Sequence, residues 1–269
     1  MHLVFPILLI LYIIASFKVA GEQLELSIAV LSDAPQQNLF FHELLTTALE
    51  NDGHSVKLNE VAIAHFEAAQ KLKSGAISIF WMLESKQRDD EFIGIEAGLT
   101  NGLIGKRVLL IRRSEQQLFK QIRNIEDLRQ LDYIAGLGKD WFDVKIWEAN
   151  NLPYETLRGN WQIMFEMFAN NYAFDYLPRG INEITDDADN HAELMIEQNL
   201  VFIYDLDMKF YLSLERGEYQ LIIQKALTKA DKDGLINALV NKHWSKNIEK
   251  LNYDKRIQIK LEVPLREPF

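Results

Sequence analysis

From residue 24 to residue 83 the chain alternates between two hydrophobic periods, and this alternation constrains its fold more than any other feature. "LELSIAVL" (24–31) reads as a strand, "NLFFHELLTTALENDG" (38–53) as an amphipathic helix ending at Gly53, and "HSVKLNEV" (54–61) as an alternating strand. "AHFEAAQKLKSG" (64–75) predicts a second helix stopped by Gly75, and "AISIFWML" (76–83) a third strand. Strand, helix, strand, helix, strand predicts an α/β layer with a mostly parallel sheet, because each helix must cover a face of the sheet it connects.

The next segment breaks the pattern. "FIGIEAGLTNGLIGKRVLLIRRS" (92–114) holds four glycines and then an extended apolar run, as expected of a loop feeding a strand that leaves the first unit. A second α/β unit follows, with a short helix at 125–131, a strand running into glycines at 132–138, a helix at 140–151 and another at 160–171. A strand is expected at 173–177, a helix or turn at 192–199 and a strong strand at 200–206 that could return the chain. The tail, 218–247, predicts two helices broken around Gly234. With no repeat and no Pro/Ser-rich linker, the second unit reads as inserted within the first.

Composition excludes several functions. At 269 residues and 48% hydrophobic residues the chain can bury a large core. A net charge of −10 argues against a general polyanion binder, so no nucleic-acid partner is expected. Cysteine is absent, which removes disulfides, thiolate nucleophiles, Cys-ligated zinc and an N-terminal lipid anchor on Cys. The six histidines, at 2, 42, 54, 65, 191 and 243, show no metal-ligand spacing. There is no nucleophile elbow and no phosphate-binding glycine loop, and Asp186 and Asp187 read as solvated loop. No cofactor, no metal and no catalytic residue is expected, and the chain is not read as an enzyme.

The N-terminus carries an address. "MHLVFPILLILYIIASFKVAGEQ" has an apolar run from Leu3 to Ser16 followed by Val19, Ala20 and Gly21, the layout of a secretory signal cleaved near residue 21 or 22. Its n-region has only the amino terminus and His2 for charge, so an uncleaved membrane anchor is the alternative.

Site candidates follow from local chemistry. Gly136, Gly138 and Asp140 precede the expected helix at 140–151, whose exposed N–H groups could receive a carboxylate or phosphate. Alternatively Asp140 caps the helix and takes those donors itself. Trp141 could stack on a ligand or cover an interface, whereas Trp147 and Trp161, at helical spacing among apolar neighbours, read as core. Trp81 ends a strand, where open α/β sheets present ligand-binding residues. In "FDYLPRGINEI" (174–184), Pro178 and Gly180 predict a rigid corner that fixes Arg179, to hold either an anion or a neighbouring carboxylate such as Asp175 or Glu183.

The runs "GAISIFWMLESKQRDDEF", "GLGKDWFDVKIWEANNL" and "MFEMFANNYAFDYLPRGINEI", in this order, resemble the bacterial extracellular solute-binding proteins of family 3. The resemblance spans roughly residues 24 to 245. Its most specific pieces are Gly-x-Gly-x-x-Trp-x-Asp at 136–143 and Asp-Tyr-x-Pro-Arg-Gly-x-x-Glu-Ile at 175–184. It implies a two-lobed periplasmic binding protein-like fold of type II, lobes joined by two crossing strands placed at 107–113 and 200–206 and acting as the hinge. Residues 22–107 with 207–269 would form one lobe and 108–206 the other, after a signal peptide at 1–21.

Arg88 matches a family arginine, which implies a carboxylate-binding role, and Asp89, Asp90 and Glu91 beside it make a surface ion pair the alternative. Glu96, Asn101 and Ala173 stand where the resembling subgroup commonly has cations. The ligand-binding set implied is Trp81, Arg88, Gly138, Asp140, Trp141 and Arg179. The implied function is a periplasmic monomer that captures a small polar ligand, amino acid-like or an organic ion, for an inner-membrane transporter or sensor. A sensing module without a transporter is the alternative, and a secreted hydrolase or lyase a third reading.

Overall fold

A computed structural model describes residues 23–32, 35–170 and 173–264, so the expected signal segment lies outside the described residues. The chain makes β1 (Gln23–Leu31), β2 (Ser55–Ile63), β3 (Ile79–Leu83) and β4 (Ile93–Gly94) before crossing to a second sheet. There it forms β5 (Lys106–Arg112), β6 (Ala135–Gly138), β7 (Tyr154–Leu157), β8 (Leu177–Gly180), β9 (Leu194–Ile196) and β10 (Leu200–Ile203). It returns through β11 (Met208–Leu212), and β12 (Ile257–Lys260) comes last.

The first sheet has the order β2-β1-β3-β11-β4, with β1 parallel to β2 and β3, and β11 antiparallel to β3. All five residues of β3 are buried, as a strand covered on both faces requires. The helix Pro35–Asn51 covers one face: Phe41 stacks on Trp81 with ring centroids 4.7 Å apart, and Phe40 packs at 4.2 Å on Trp244 of the helix Leu235–Lys250. Gly234, at φ +77°, breaks the tail into two helices, Gln220–Lys232 and Leu235–Lys250. The second sheet has the order β12-β10-β5-β8, with β9 also on β5, and β6 and β7 form a parallel pair beside it. The two-lobed α/β architecture is therefore present.

Several expectations need correcting. The segment 107–113 is not a crossing and 200–206 is one only at its end, because β5 and β10 pair inside the second sheet, Phe202 opposite Arg107. The chain passes between sheets at 95–105 and 204–207, just before one strand and just after the other. The C-terminal strand does not stay with the first sheet. β12 pairs in parallel with β10, and Arg256 secures it by donating from Nη1 to the Leu200 carbonyl at 2.9 Å. Residues 192–199 hold the strand β9 rather than a helix, since Leu194–Ile196 finds a free edge on β5.

The opening corner also differs. Pro178, Arg179 and Gly180 lie within β8, with Arg179 opposite Val108 and Pro178 opposite Leu109, and the chain turns only after Gly180. β8 pairs with a single neighbour along this stretch, so a proline without an N–H is tolerated.

The two crossings are clamped to each other. Tyr204 N–H donates to the Gly105 carbonyl at 3.0 Å, and a Cβ on Gly105 would lie 2.2 Å from the Tyr204 carbonyl oxygen. Asp207 accepts from the N–H groups of Thr100 and Gly102 at 3.1 Å and 3.2 Å, from Met208 N–H at 2.7 Å, and from the Thr100 hydroxyl. A carboxylate with this many donors holds one crossing against the other. Gly102 has φ +72° but open space around its Cβ position, whereas Gly105 has the opposite combination. Gly105→Ala should therefore cost about 3 kcal/mol through overpacking against backbone, and Gly102→Ala only about 1 kcal/mol through its φ. Urea unfolding of both variants checks the order; an equal or larger loss at Gly102 would show that backbone proximity is not what Gly105 satisfies.

Candidate functional site

A cavity of about 190 Å³ lies where the two lobes face each other. The first lobe contributes His65 and Phe66, the strand β3 from Phe80 to Leu83, Arg88 and Met208. The second contributes Arg107, residues 140–143, Trp161, Pro178, Arg179 and Glu183, with Ile104 at the crossing. At the rim Lys145 Nζ, on the second lobe, donates to Gln87 Oε1 at 3.4 Å.

The second-lobe wall is built on two buried arginines. Arg107, at the start of β5, donates from Nε to Asp143 Oδ1 at 2.7 Å and from Nη2 to Oδ2 at 3.2 Å, and from Nη1 to the Ile104 carbonyl. The Tyr204 hydroxyl donates to Asp143 Oδ1 at 3.1 Å. Burial alone would lower the Arg107 pKa, but the Asp143 carboxylate outweighs it and holds the guanidinium charged. Burial pushes the Tyr204 phenol well up, so it remains a donor.

Arg179, only 5% exposed, sits among aromatic rings, its guanidinium carbon 4.4 Å from the centroid of Trp161, 5.0 Å from Trp141 and 5.8 Å from Phe165. Its Nε donates to Asp187 Oδ2 at 2.6 Å, and Nη2 lies 3.3 Å from Glu183 Oε2. Burial would lower its pKa, and the Asp187 and Glu183 carboxylates reverse that. Burial raises the Asp187 carboxyl, with Arg179 opposing.

Of the two sequence readings of Arg179, the structure thus shows the carboxylate-paired one. Glu183 is one expected partner; the other, Asp175, turns instead to Arg112 and to the Ile134 N–H. Asp187, expected in solvated loop, is drawn in because the helix Ile184–Asn190 sets it eight residues from Arg179 and against it.

The glycines and Asp140 do not form the expected helix-end site. The helix runs Asp143–Ala149, too late and too short, and Asp140 is an exposed cavity-wall residue that does not cap it. Gly138 does not line the cavity; a Cβ there would lie 2.6 Å from the Trp141 indole, so the glycine makes room for that ring. Trp141 is half-buried over Arg179. Trp81 borders the cavity but is 2% exposed with Phe41 stacked on it, so one face of the ring belongs to the core.

Arg88 is placed differently. Ser85 caps its short helix, Lys86–Glu91, and Arg88 Nη1 donates to the Leu83 carbonyl. The three acids beside it are committed elsewhere: Asp89 accepts from the Tyr211 hydroxyl at 3.0 Å, Asp90 pairs with Lys86 at 2.8 Å, and Glu91 lies 3.7 Å from Lys73. Among the described residues Arg88 makes no ion pair within 4 Å, and burial lowers its pKa, with Tyr211 and the Glu91 carboxylate only partly opposing. It is a half-buried guanidinium on the cavity wall with donors to spare.

Five of the six expected residues therefore border one cavity. The sequence reading missed Arg107 and Asp143, which are 36 residues apart and meet only through the fold, and Trp161, whose helical spacing read as core. Among the described residues no group of three or more His, Asp or Glu could hold a metal, and no helix is long and apolar enough to cross a membrane.

No family model matches the chain, and no curated protein matches it in sequence. Solved structures match it in fold. An ancestral arginine-binding protein bound to glutamine is 13% identical, covering 82% of this chain and 97% of that one with a TM-score of 0.60. An amino acid ABC transporter substrate-binding protein from Streptococcus pneumoniae bound to L-arginine is 15% identical, covering 83% and 96% with a TM-score of 0.58. An ABC uptake transporter substrate-binding protein from the same organism, with bound histidine, is 15% identical, covering 83% and 94% with a TM-score of 0.58. The chain thus shares the two-lobed fold of amino acid ABC transporter substrate-binding proteins along nearly their whole length.

Proposed function

We propose that the chain is a periplasmic solute-binding protein, not an enzyme, that closes two lobes on a small carboxylate-bearing ligand and presents it to a membrane transporter or sensor. The observation that carries this reading is Arg88: a guanidinium at the interlobe cavity whose neighbouring acids are all engaged elsewhere. Such a group suits a carboxylate, which accepts two parallel N–H donors. The bound amino acids named for the structures of similar fold, arginine, glutamine and histidine, all bear one. The apolar run at 3–16 supplies the export that this role requires.

Arg88 and Arg179 have separable roles in this reading. Arg88→Ala should weaken a carboxylate ligand by about 2 to 3 kcal/mol with little change in unliganded melting, because a charge-assisted bond is lost at a half-buried site. Arg179→Ala should instead lower unliganded stability by about 3 kcal/mol or more, because Asp187 and Glu183 lose their buried partner. Calorimetric titration and thermal melting on both variants separate the roles; unchanged affinity in Arg88→Ala would remove Arg88 from the site.

Export is tested by the intact mass of the periplasmic form. It should begin near residue 21 or 22, and retention of residues 1–20 in a membrane fraction would favour the anchored alternative.

A further inference from the structure

On the reading that the cleft takes a carboxylate ligand, we infer that this ligand is a zwitterion with an uncharged apolar or aromatic side chain. Basic amino acids are excluded, because Arg179 of the chain itself fills the cation site of the cleft. That site is complete on inspection of its parts. Three aromatic rings lie within 5.8 Å of the guanidinium carbon, and two carboxylates, Asp187 and Glu183, neutralise it. A guanidinium or ammonium arriving on a ligand would need the same aromatic faces and the same oxygens.

A census of charge at the cavity gives the rest. Asp143 is satisfied by Arg107 and Tyr204, and Glu183 by Arg179. Once these internal pairs are set aside, one cation and one anion of the lining have no ion pair among the described residues: Arg88 on the first lobe and Asp140 on the second. One free guanidinium and one free carboxylate match one carboxylate and one ammonium, while His65, the other titratable residue of the lining, is already engaged within the protein.

Apart from His65 the remaining wall is apolar, with Phe66, Phe80, Trp141, Trp161 and Met208 around the space. Phe66 is 64% exposed, a large apolar area that a ligand side chain would cover. A charged side chain in this wall would lose its water without gaining a partner. The cavity, about 190 Å³, has room for a small molecule.

The test is calorimetric titration of the purified chain with L-phenylalanine, L-leucine, L-arginine and L-lysine. A neutral apolar amino acid should bind, and the basic ones should bind weaker by on the order of a hundredfold. Arginine or lysine binding as tightly as the neutral pair would overturn the inference while leaving the solute-binding reading intact. No binding of these or of other small carboxylates would overturn both.

Two variants probe the separate charges. In Arg179→Ala the cage is emptied, so millimolar L-arginine should raise the melting temperature of that variant by more than that of the parent chain. Should Arg179→Ala not fold, Asp140→Asn, at an exposed position, serves instead. It should weaken L-phenylalanine about tenfold and leave 3-phenylpropionate, which lacks the ammonium, unchanged. Equal effects on the two compounds would remove Asp140 as the ammonium's partner and with it the zwitterion.

Discussion

A guanidinium withdrawn from water between two lobes has to be neutralised where it stands, and Asp143 neutralises Arg107 within a network that joins three parts of the chain. Its own strand β5 supplies the cation, Asp143 at the start of a second-lobe helix supplies both carboxylate oxygens, and Tyr204 on the returning crossing supplies a further donor. Removing Arg107 or Asp143 leaves the other buried and uncompensated, which is far more costly than the net worth of the pair. The network therefore fixes how β5, the helix Asp143–Ala149 and the crossing at 204 meet. Arg107 and Asp143 also line the cavity.

The three arginines around the cavity illustrate how burial decides role. Arg107 and Arg179 lie deep in the fold and are matched by Asp143 and by Asp187 with Glu183, so their charge is spent inside the protein. Arg88, on a short helix at the edge, keeps a bond to a carbonyl only. What separates the two paired arginines from the third is the carboxylates within reach, not residue type or proximity to the cleft.

Much of the fold is legible in the sequence because it rests on local signals. The alternation from 24 to 83, the stops at Gly53 and Gly75 and the break at Gly234 are periodicity and backbone freedom acting within a few residues. What failed needed partners distant in sequence. Leu194–Ile196 becomes a strand because β5 offers an edge, and Ile257–Lys260 joins the second sheet because β10 does. The site follows the same division. Arg88 and Trp141 could be singled out from their motifs, but the role of Arg179 depended on Asp187, whose polar surroundings read as solvent-facing until the helix Ile184–Asn190 turned it inward. Arg107, at the head of an apolar run, carries no local mark of the Asp143 it will meet.

The contact of Gly105 with Tyr204 bears on mechanics. Two backbones this close, bonded from Tyr204 N–H to the Gly105 carbonyl and held alongside by Asp207, tie the outgoing and the returning crossing into one joint. The absence of a single methyl group at Gly105 is the condition for the two crossings to run side by side there.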